Sequence, residues 1–259
     1  MTLPLSVFII TRDEAERLPA TLAALRGFAA EVIVVDSGST DGTQEIARSY
    51  GAQVVHRDWA GYGPQKVYGQ SLCAHDWILN LDADETPLED IKASIRQVFA
   101  APETARAAAY ALRICYVSRF ARGLAPARFG PVNVTPRLYD RRRAGFRTDS
   151  VVHDKVVVFD GSRAPVLPGR VAHRCVRSYA HMWEKIGAYA AAQAEEKARK
   201  GKRVSPLALL YDPPAFFLKY LFLRRLAFVG WEGLIIAAAH AAGRALRIGM
   251  TLERFRRER

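Results

Sequence analysis

The chain has 259 residues, 50% of them hydrophobic and 25% charged, which fits an ordered globular protein of one to two domains and excludes a disordered one. Lys and Arg total 38 against 26 Asp and Glu, for a net charge of +12. Cys73, Cys115 and Cys175 lie far apart with no C-x-x-C pair, which argues against a disulfide framework or zinc ribbon and suits a reducing compartment.

Leu5–Ile10 is a short apolar run and predicts a buried strand. Apolar positions at Ala15, Leu18, Leu22 and Leu25 predict a helix over Glu14–Leu25. Glu31–Asp36 and Gln53–Arg57 read as strands, and between them Asp41 or Thr40 caps a helix through Tyr50. A helix over Pro64–Ala74 leads into a strand, Trp77–Leu81. Thr86-Pro87-Leu88-Glu89 reads as a capping box with proline at the first helical position, opening a helix to Phe99. This alternation predicts an α/β fold whose mostly parallel sheet has helices on both faces. Such sheets bind ligands at the carboxyl ends of their strands.

Beyond residue 100 the pattern breaks. Strands are predicted at Ala108–Val117, Val134–Tyr139 and Lys155–Phe159, with a Gly/Pro/Arg-rich loop at Ala121–Asn133 and a basic turn at Arg141–Arg143. Tyr179 to about Lys200 is helical, Lys197–Arg203 is a solvated basic link, and Pro206 onward is helical with apolar and Arg-rich faces. Charge divides in the same place: residues 1–100 carry 8 basic and 14 acidic side chains, the remainder 30 and 12. An acidic half suits metal; a basic half suits phosphates, nucleic acid or an anionic membrane. MTLPLSVFII lacks the basic start and cleavage site of a signal peptide. The apolar stretch from Leu226 contains Glu232 and His240; it is too short and polar to span a bilayer, but suits lying on one.

Three acidic features fall at predicted strand ends: Thr11-Arg12-Asp13-Glu14, the run Asp36–Thr43, and Leu81-Asp82-Ala83-Asp84-Glu85. A single carboxylate in such a place is more often a helix cap; three sets at one sheet edge converge on a crevice. Asp82 and Asp84 offer two hard oxygen ligands, suited to Mg²⁺ or Mn²⁺ shared with a diphosphate.

On SVFIITRDEAERL, VIVVDSGSTDGT and WILNLDADE, in order and over about the first 100 residues, the chain resembles family 2 glycosyltransferases. Their fold is GT-A, a Rossmann-like nucleotide-sugar-binding domain. The resemblance implies that Thr11, Asp13 and Glu14 line the nucleoside pocket and that Asp36 contacts base or ribose. It makes Asp82 and Asp84 the D-x-D, with Asp84 the direct metal ligand. Asp36-Ser37 resembles the bacterial lipopolysaccharide-core glucosyltransferase branch, and four further segments extend that likeness. In Gly63-Pro64-Gln65-Lys66, Lys66 would reach the donor diphosphate. Arg137-Leu138-Tyr139 would place Arg137 toward an anionic acceptor. Val152-His153-Asp154-Lys155 supplies Asp154 as the first candidate for general base and His153 for the metal shell or a phosphate; Asp149, just before it, is the reserve base. Trp231-Glu232-Gly233 falls in a membrane-proximal C-terminus. Gly130-Pro131-Val132-Asn133 departs from the branch, which bears on the acceptor rather than the donor.

The expectation is therefore a catalytic domain over 1–175, with a donor half (1–100) and an acceptor half (101–175), followed by a helical, membrane-proximal extension over 176–259. The implied activity is metal-dependent inverting transfer from a UDP-glucose-like donor to a glycolipid such as lipopolysaccharide inner core. It would occur in the cytoplasm, on the inner, anionic face of the cell membrane. A polyprenyl-phosphate acceptor is the alternative. A basic nucleic-acid-binding protein is a distant one, for which no RNP, helix-turn-helix or zinc-finger pattern is present.

Overall fold

The computed structural model describes residues 2–146 and 155–257. In chain order the elements are β1 (Leu3–Thr11), α1 (Leu18–Leu25), β2 (Ala29–Asp36), α2 (Thr43–Ser49), β3 (Gln53–His56), α3 (Tyr62–Leu72), β4 (Trp77–Asp82), β5 (Glu85–Pro87) and α4 (Glu89–Ala100). Then come β6 (Ala109–Tyr116), β7 (Val132–Asp140), β8 (Ala144–Gly145), β9 (Val157–Val158), β10 (Val171–His173), α5 (Tyr179–Arg199), α6 (Ala208–Leu218) and α7 (Trp231–Arg257). The fold is α/β with a helical C-terminal region.

Eight strands form one sheet in the order β3-β2-β1-β4-β7-β6-β10-β5. β3, β2, β1 and β4 run parallel, and β7 then pairs antiparallel with both β4 and β6. β1 is a near-continuous apolar run because it is covered on both faces. Leu18, Leu22, Ile91 and Ile95 pack on one face with Val7 and Ile9. Phe8, Ile33, Tyr139 and Phe146 form the core of the other. Helix α3 approaches that face closely, for a Cβ on Gly69 would stand 2.5 Å from the Phe8 ring. Register fixes the functional edge: Thr11 lies opposite Asp36, and Ile10 opposite Asp82.

Several local expectations need correction. Helix α1 begins at Leu18, not Glu14, because Asp13 is in the left-handed region (φ 54°) and residues 14–17 form a turn closed by Leu18 N–H donating to Glu14 O at 2.9 Å. The Thr86–Glu89 capping box is absent: Thr86 and Pro87 belong to β5, and α4 follows an extended Leu88 with no side-chain cap. β5 is drawn into the sheet by antiparallel pairing with β10, Thr86 opposite Ala172. Of Lys155–Phe159 only Val157 and Val158 are strand, paired with β8 in a separate two-stranded sheet.

The chain falls into two compact units. One comprises Met1–Cys115 with Val132–Arg174; the other comprises Tyr116–Pro131 with Cys175–Arg259. Residues 116–131 thus cluster with the helices rather than with the rest of 101–175. In the helical unit Tyr116, Leu226, Ile236 and Ala237 form a small core. Among the described residues no helix is long and apolar enough to cross a membrane.

Candidate active site

The first corner of the site joins the ends of β1 and β2. Asp36 is fully buried. Its Oδ1 accepts from Gly38 N–H (3.1 Å), Ser39 N–H (2.9 Å) and Gln44 Nε2 (2.7 Å). Its Oδ2 accepts from Thr11 Oγ1 at 3.0 Å and from the Ser39 hydroxyl. Burial alone raises its pKa, but the bonds from Ser39, Thr11 and Gln44 outweigh that and hold the carboxyl below its ordinary value. The two motif loops are sewn together. Asp13 N–H donates to Ser39 Oγ (2.8 Å), Thr40 N–H to Asp13 Oδ1 (2.9 Å), and Glu14 N–H to Thr43 Oγ1 (2.8 Å). The Glu14 carboxylate takes both Nε and NH2 of Arg17, at 2.7 and 2.5 Å.

The D-x-D lies where β4 ends. Arg137, on β7 and buried, donates to Asn80 Oδ1 (2.7 Å), Asp82 Oδ2 (2.8 Å) and Glu85 Oε1 (2.6 Å). Lys66, 3% exposed, places Nζ 3.6 Å from Asp82 Oδ1. Desolvation opposes the charge on Asp82, yet Arg137 and Lys66 prevail and keep its pKa far below the usual carboxylate range. Glu85 shifts the other way: burial and the neighbouring Asp82 raise it despite Arg137. The Arg137 pKa moves up, because Glu85 and Asp82 overcome its burial.

Asp84 belongs to a second charge cluster. Its Oδ2 accepts from Arg17 NH1 at 2.9 Å and lies 3.4 Å from His173 Nε2. Burial lowers the His173 pKa, but Asp84 more than restores it, and the net direction is up. Arg17 also donates to Arg174 O at 3.0 Å, tying the first motif to the chain that follows β10.

The structure thus gathers Thr11, Asp13, Glu14 and Asp36 at one corner and Lys66, Asp82 and Arg137 at the next, with Asp84 paired to Arg17 and His173. Arg137, expected to face an acceptor, donates to Asn80, Asp82 and Glu85 at the D-x-D strand end. Asp149, His153 and Asp154 lie outside the described residues. Arg17, Asn80, Glu85 and His173 have no role assigned to them from the sequence, though Glu85 belongs to the third acidic feature. Asn80 carried a signal, since a polar residue within the apolar run WILNLD requires a buried partner. Among the described residues no group of three or more His, Cys, Asp and Glu side chains is arranged to hold a metal ion.

Residues 6–162 match the model of the family described as Glycosyl transferase family 2. An uncharacterized glycosyltransferase of Rickettsia prowazekii (strain Madrid E) is 34% identical over 251 residues, 94% of this chain and 85% of that protein. Lipopolysaccharide core biosynthesis glycosyltransferase LpsC of Rhizobium meliloti (strain 1021) is 28% identical, over 92% of this chain and 88% of that protein. Among solved structures, S. aureus TarS 1–349 aligns with 99% of this chain and 92% of its own at 15% identity and a TM-score of 0.47. Glucosyl-3-phosphoglycerate synthase from Mycobacterium tuberculosis, in complex with Mn²⁺, UDP and glucosyl-3-phosphoglycerate, aligns with 78% and 81% at 17% identity and a TM-score of 0.44. The chain belongs to glycosyltransferase family 2.

Proposed function

We propose that this family 2 glycosyltransferase moves a sugar, with inversion, from a nucleotide-sugar of the UDP-glucose type to a glycolipid acceptor such as lipopolysaccharide inner core. The observation that carries the reading is the convergence of the three motifs on one sheet edge, with Asp82 and Asp84 set among Arg17, Lys66 and Arg137. The likeness to LpsC over most of both chains supports the acceptor class.

The departing nucleoside diphosphate gains negative charge as the anomeric bond breaks. Lys66 is fixed where it can oppose that charge, and a donor preorganised in a buried site acts more strongly than one in water. The loop shaped by Asp13 and Asp36 holds the nucleoside. Arg137 keeps the D-x-D strand end in place. Asp82 and Asp84 offer two hard oxygens, which fits Mg²⁺ or Mn²⁺ shared with donor phosphates rather than caged by protein. Such an ion supplies charge stabilisation for the leaving diphosphate. Asp154 takes the proton of the attacking hydroxyl, with Asp149 as the reserve. Asp154→Asn is then expected to lower turnover by about 10²–10⁴-fold with donor binding kept. If that variant is active and Asp149→Asn is not, the base is Asp149. The enzyme works in the cytoplasm, peripheral on the inner face of the cell membrane, where a soluble donor meets a lipid-anchored acceptor.

The test is a donor screen by thermal shift with UDP-, GDP- and ADP-sugars, each with and without Mn²⁺, followed by transfer to a lipid A–core acceptor. One selective donor should raise the melting temperature, since a ligand stabilises by mass action. No stabilisation by any nucleotide-sugar, with salt-sensitive RNA binding instead, would overturn the reading.

A further inference from the structure

The helical unit leaves an unusual amount of apolar surface uncovered within a short stretch. Leu210 and Leu223 are 75% and 78% exposed, and Leu207, Tyr211, Phe222 and Trp231 are exposed beside them in sequence. Scattered exposed apolar residues are ordinary; a concentration of this kind marks a surface that meets something. Arg225 helps to build it. It sits in the left-handed region (φ 59°) between a π-turn, Lys219–Leu223, and a 3₁₀ turn, Leu226–Val229. Its N–H donates to Phe222 O (3.1 Å) and its O accepts from Phe228 N–H (3.2 Å).

Between α6 and α7 runs an open groove of about 450 Å³. Its lining is Pro213, Pro214, Phe217 and Leu218 on one side and four alanines of α7, from Ala238 to Ala245, on the other. The alanines recur at helical spacing and lack the bulk to fill the space. No charged or hydrogen-bonding side chain lines the groove, so its occupant is hydrocarbon. The charges that follow the groove wall in sequence say more. Lys219, Arg224 and Arg225 are exposed, and Lys219 directly follows Leu218 of the groove wall. An occupant complementary to both features is apolar with an anionic end. A second copy of this chain fits poorly, since it would bring one cationic margin against another.

We propose that the helical unit seats on an anionic bilayer, with one lipid hydrocarbon chain in the α6–α7 groove and Lys219, Arg224 and Arg225 on lipid phosphates. This deepens the peripheral-membrane part of the reading above and rests on it only for its biological use. Apolar side chains beside cations bind such a surface through buried area plus salt-sensitive attraction.

The experiment uses the full chain. It should float with phosphatidylglycerol-containing vesicles at low salt, less at high salt, and not with phosphatidylcholine alone. Lys219→Gln with Arg224→Gln should weaken binding about thirtyfold. Leu210→Glu with Leu223→Glu should abolish it. For the groove the probe is monomeric lysophosphatidylglycerol, with one chain and one phosphate. It should raise the melting temperature where glycerol phosphate does not, and Ala242→Leu or Ala245→Ile should remove that rise. Two groove variants guard against one that fails to fold. The proposal is overturned if the chain stays unbound at low salt, if glycerol phosphate stabilises as well as the lysolipid, or if Leu210→Glu with Leu223→Glu floats normally. It is also overturned if the face instead drives dimerisation that vesicles do not compete away. Nucleotide-sugar thermal shift without lipid is measured on the same samples. Donor stabilisation without flotation removes this inference alone; flotation without donor stabilisation removes the transferase reading alone.

Discussion

The carboxyl edge of the sheet and the face of the helical unit solve opposite problems. At the sheet edge charges are buried or half-buried and every named one has a partner: Asp82 with Arg137 and Lys66, Asp84 with Arg17, and Asp36 with five donors. On the helical unit it is apolar side chains that lack cover, while Lys219, Arg224 and Arg225 are exposed. A buried charge without its partner costs several kcal/mol, so the sheet edge tolerates little change. An exposed leucine or arginine contributes little to folding, so the helical face can be rewritten with small effect on stability. The first region is therefore expected to fail in chemistry and folding, the second in location.

The largest effect is expected at Asp84. Asp84→Asn keeps the shape and removes one charge at the D-x-D. Transfer should fall by about 10³-fold or more, since a metal supplies several kcal/mol of transition-state stabilisation. Folding should weaken less than activity, because Arg17 keeps its pair with Glu14. Near-normal transfer by this variant, or full activity in EDTA, would sink the metal assignment.

Next comes a direct trial of the contrast. Arg137→Met leaves Asp82 and Glu85 without their shared guanidinium, and is expected to cost about 3–5 kcal/mol in a denaturant melt. Arg224→Gln, the same loss of charge on the helical face, is expected to stay within about 0.5 kcal/mol. Adding Glu85→Gln to Arg137→Met should recover part of the loss, because the uncompensated charge goes with it. Equal costs at the two arginines would erase the distinction between the regions.

Much of the sheet edge was legible in the sequence, for identifiable reasons. β1, β2 and β4 are long apolar runs buried on both faces, and parallel neighbours bring their ends level. Thr11, Asp36 and Asp82 therefore meet although widely separated in the chain. What was not legible depends on long-range pairing. β5 and β10 have three residues each, too few to show a period, and their pairing displaced the expected capping box. Arg17 reads locally as an ordinary residue before a helix, and only the fold brings it to Asp84, 67 positions away. His173 sits at the end of the unrecognised β10. Phe120, just before what reads as a Gly/Pro/Arg-rich loop, and Phe129 within it meet Trp231 and Phe228 with centroid separations of 4.7 and 5.7 Å, which is how residues 116–131 join the helices.

A packing effect of intermediate size tests the sheet unit away from its charges. On Gly69 an added Cβ would stand 2.5 Å from the Phe8 ring, with Phe8 fully buried in the core beneath α3. Gly69→Ala normally favours a helix, yet here overpacking should dominate and cost about 1–3 kcal/mol. A more stable Gly69→Ala would mean that α3 can lift from the sheet. The closeness read at this contact would then be wrong.

The smallest expected effect is a difference in acid sensitivity between the two regions. In the helical unit burial lowers the pKa of His240, whose ring stacks on Tyr220 with centroids 4.4 Å apart. A base depressed in the folded state gives the unfolded chain more bound protons. Stability is then whole above the unfolded value of about 6.5, declines as pH falls below it, and levels off beneath the folded value. At the sheet edge Asp36 is depressed by its hydrogen bonds, so its contribution survives to about pH 3.9 and is lost only below that, as pH falls through the folded value. Glu85, raised by burial, works against Asp36 in acid and blunts its loss. From pH 8 downward His173, raised in the folded state, first adds stability as it takes up its proton; below about pH 6.5 melting curves should then soften in two stages. His240→Phe should flatten the first stage and leave the second, and Asp36→Asn should do the reverse. If His240→Phe left the slope between pH 5 and 6.5 unchanged, the His240 environment would not carry the first stage, and the two regions would share a single acid response.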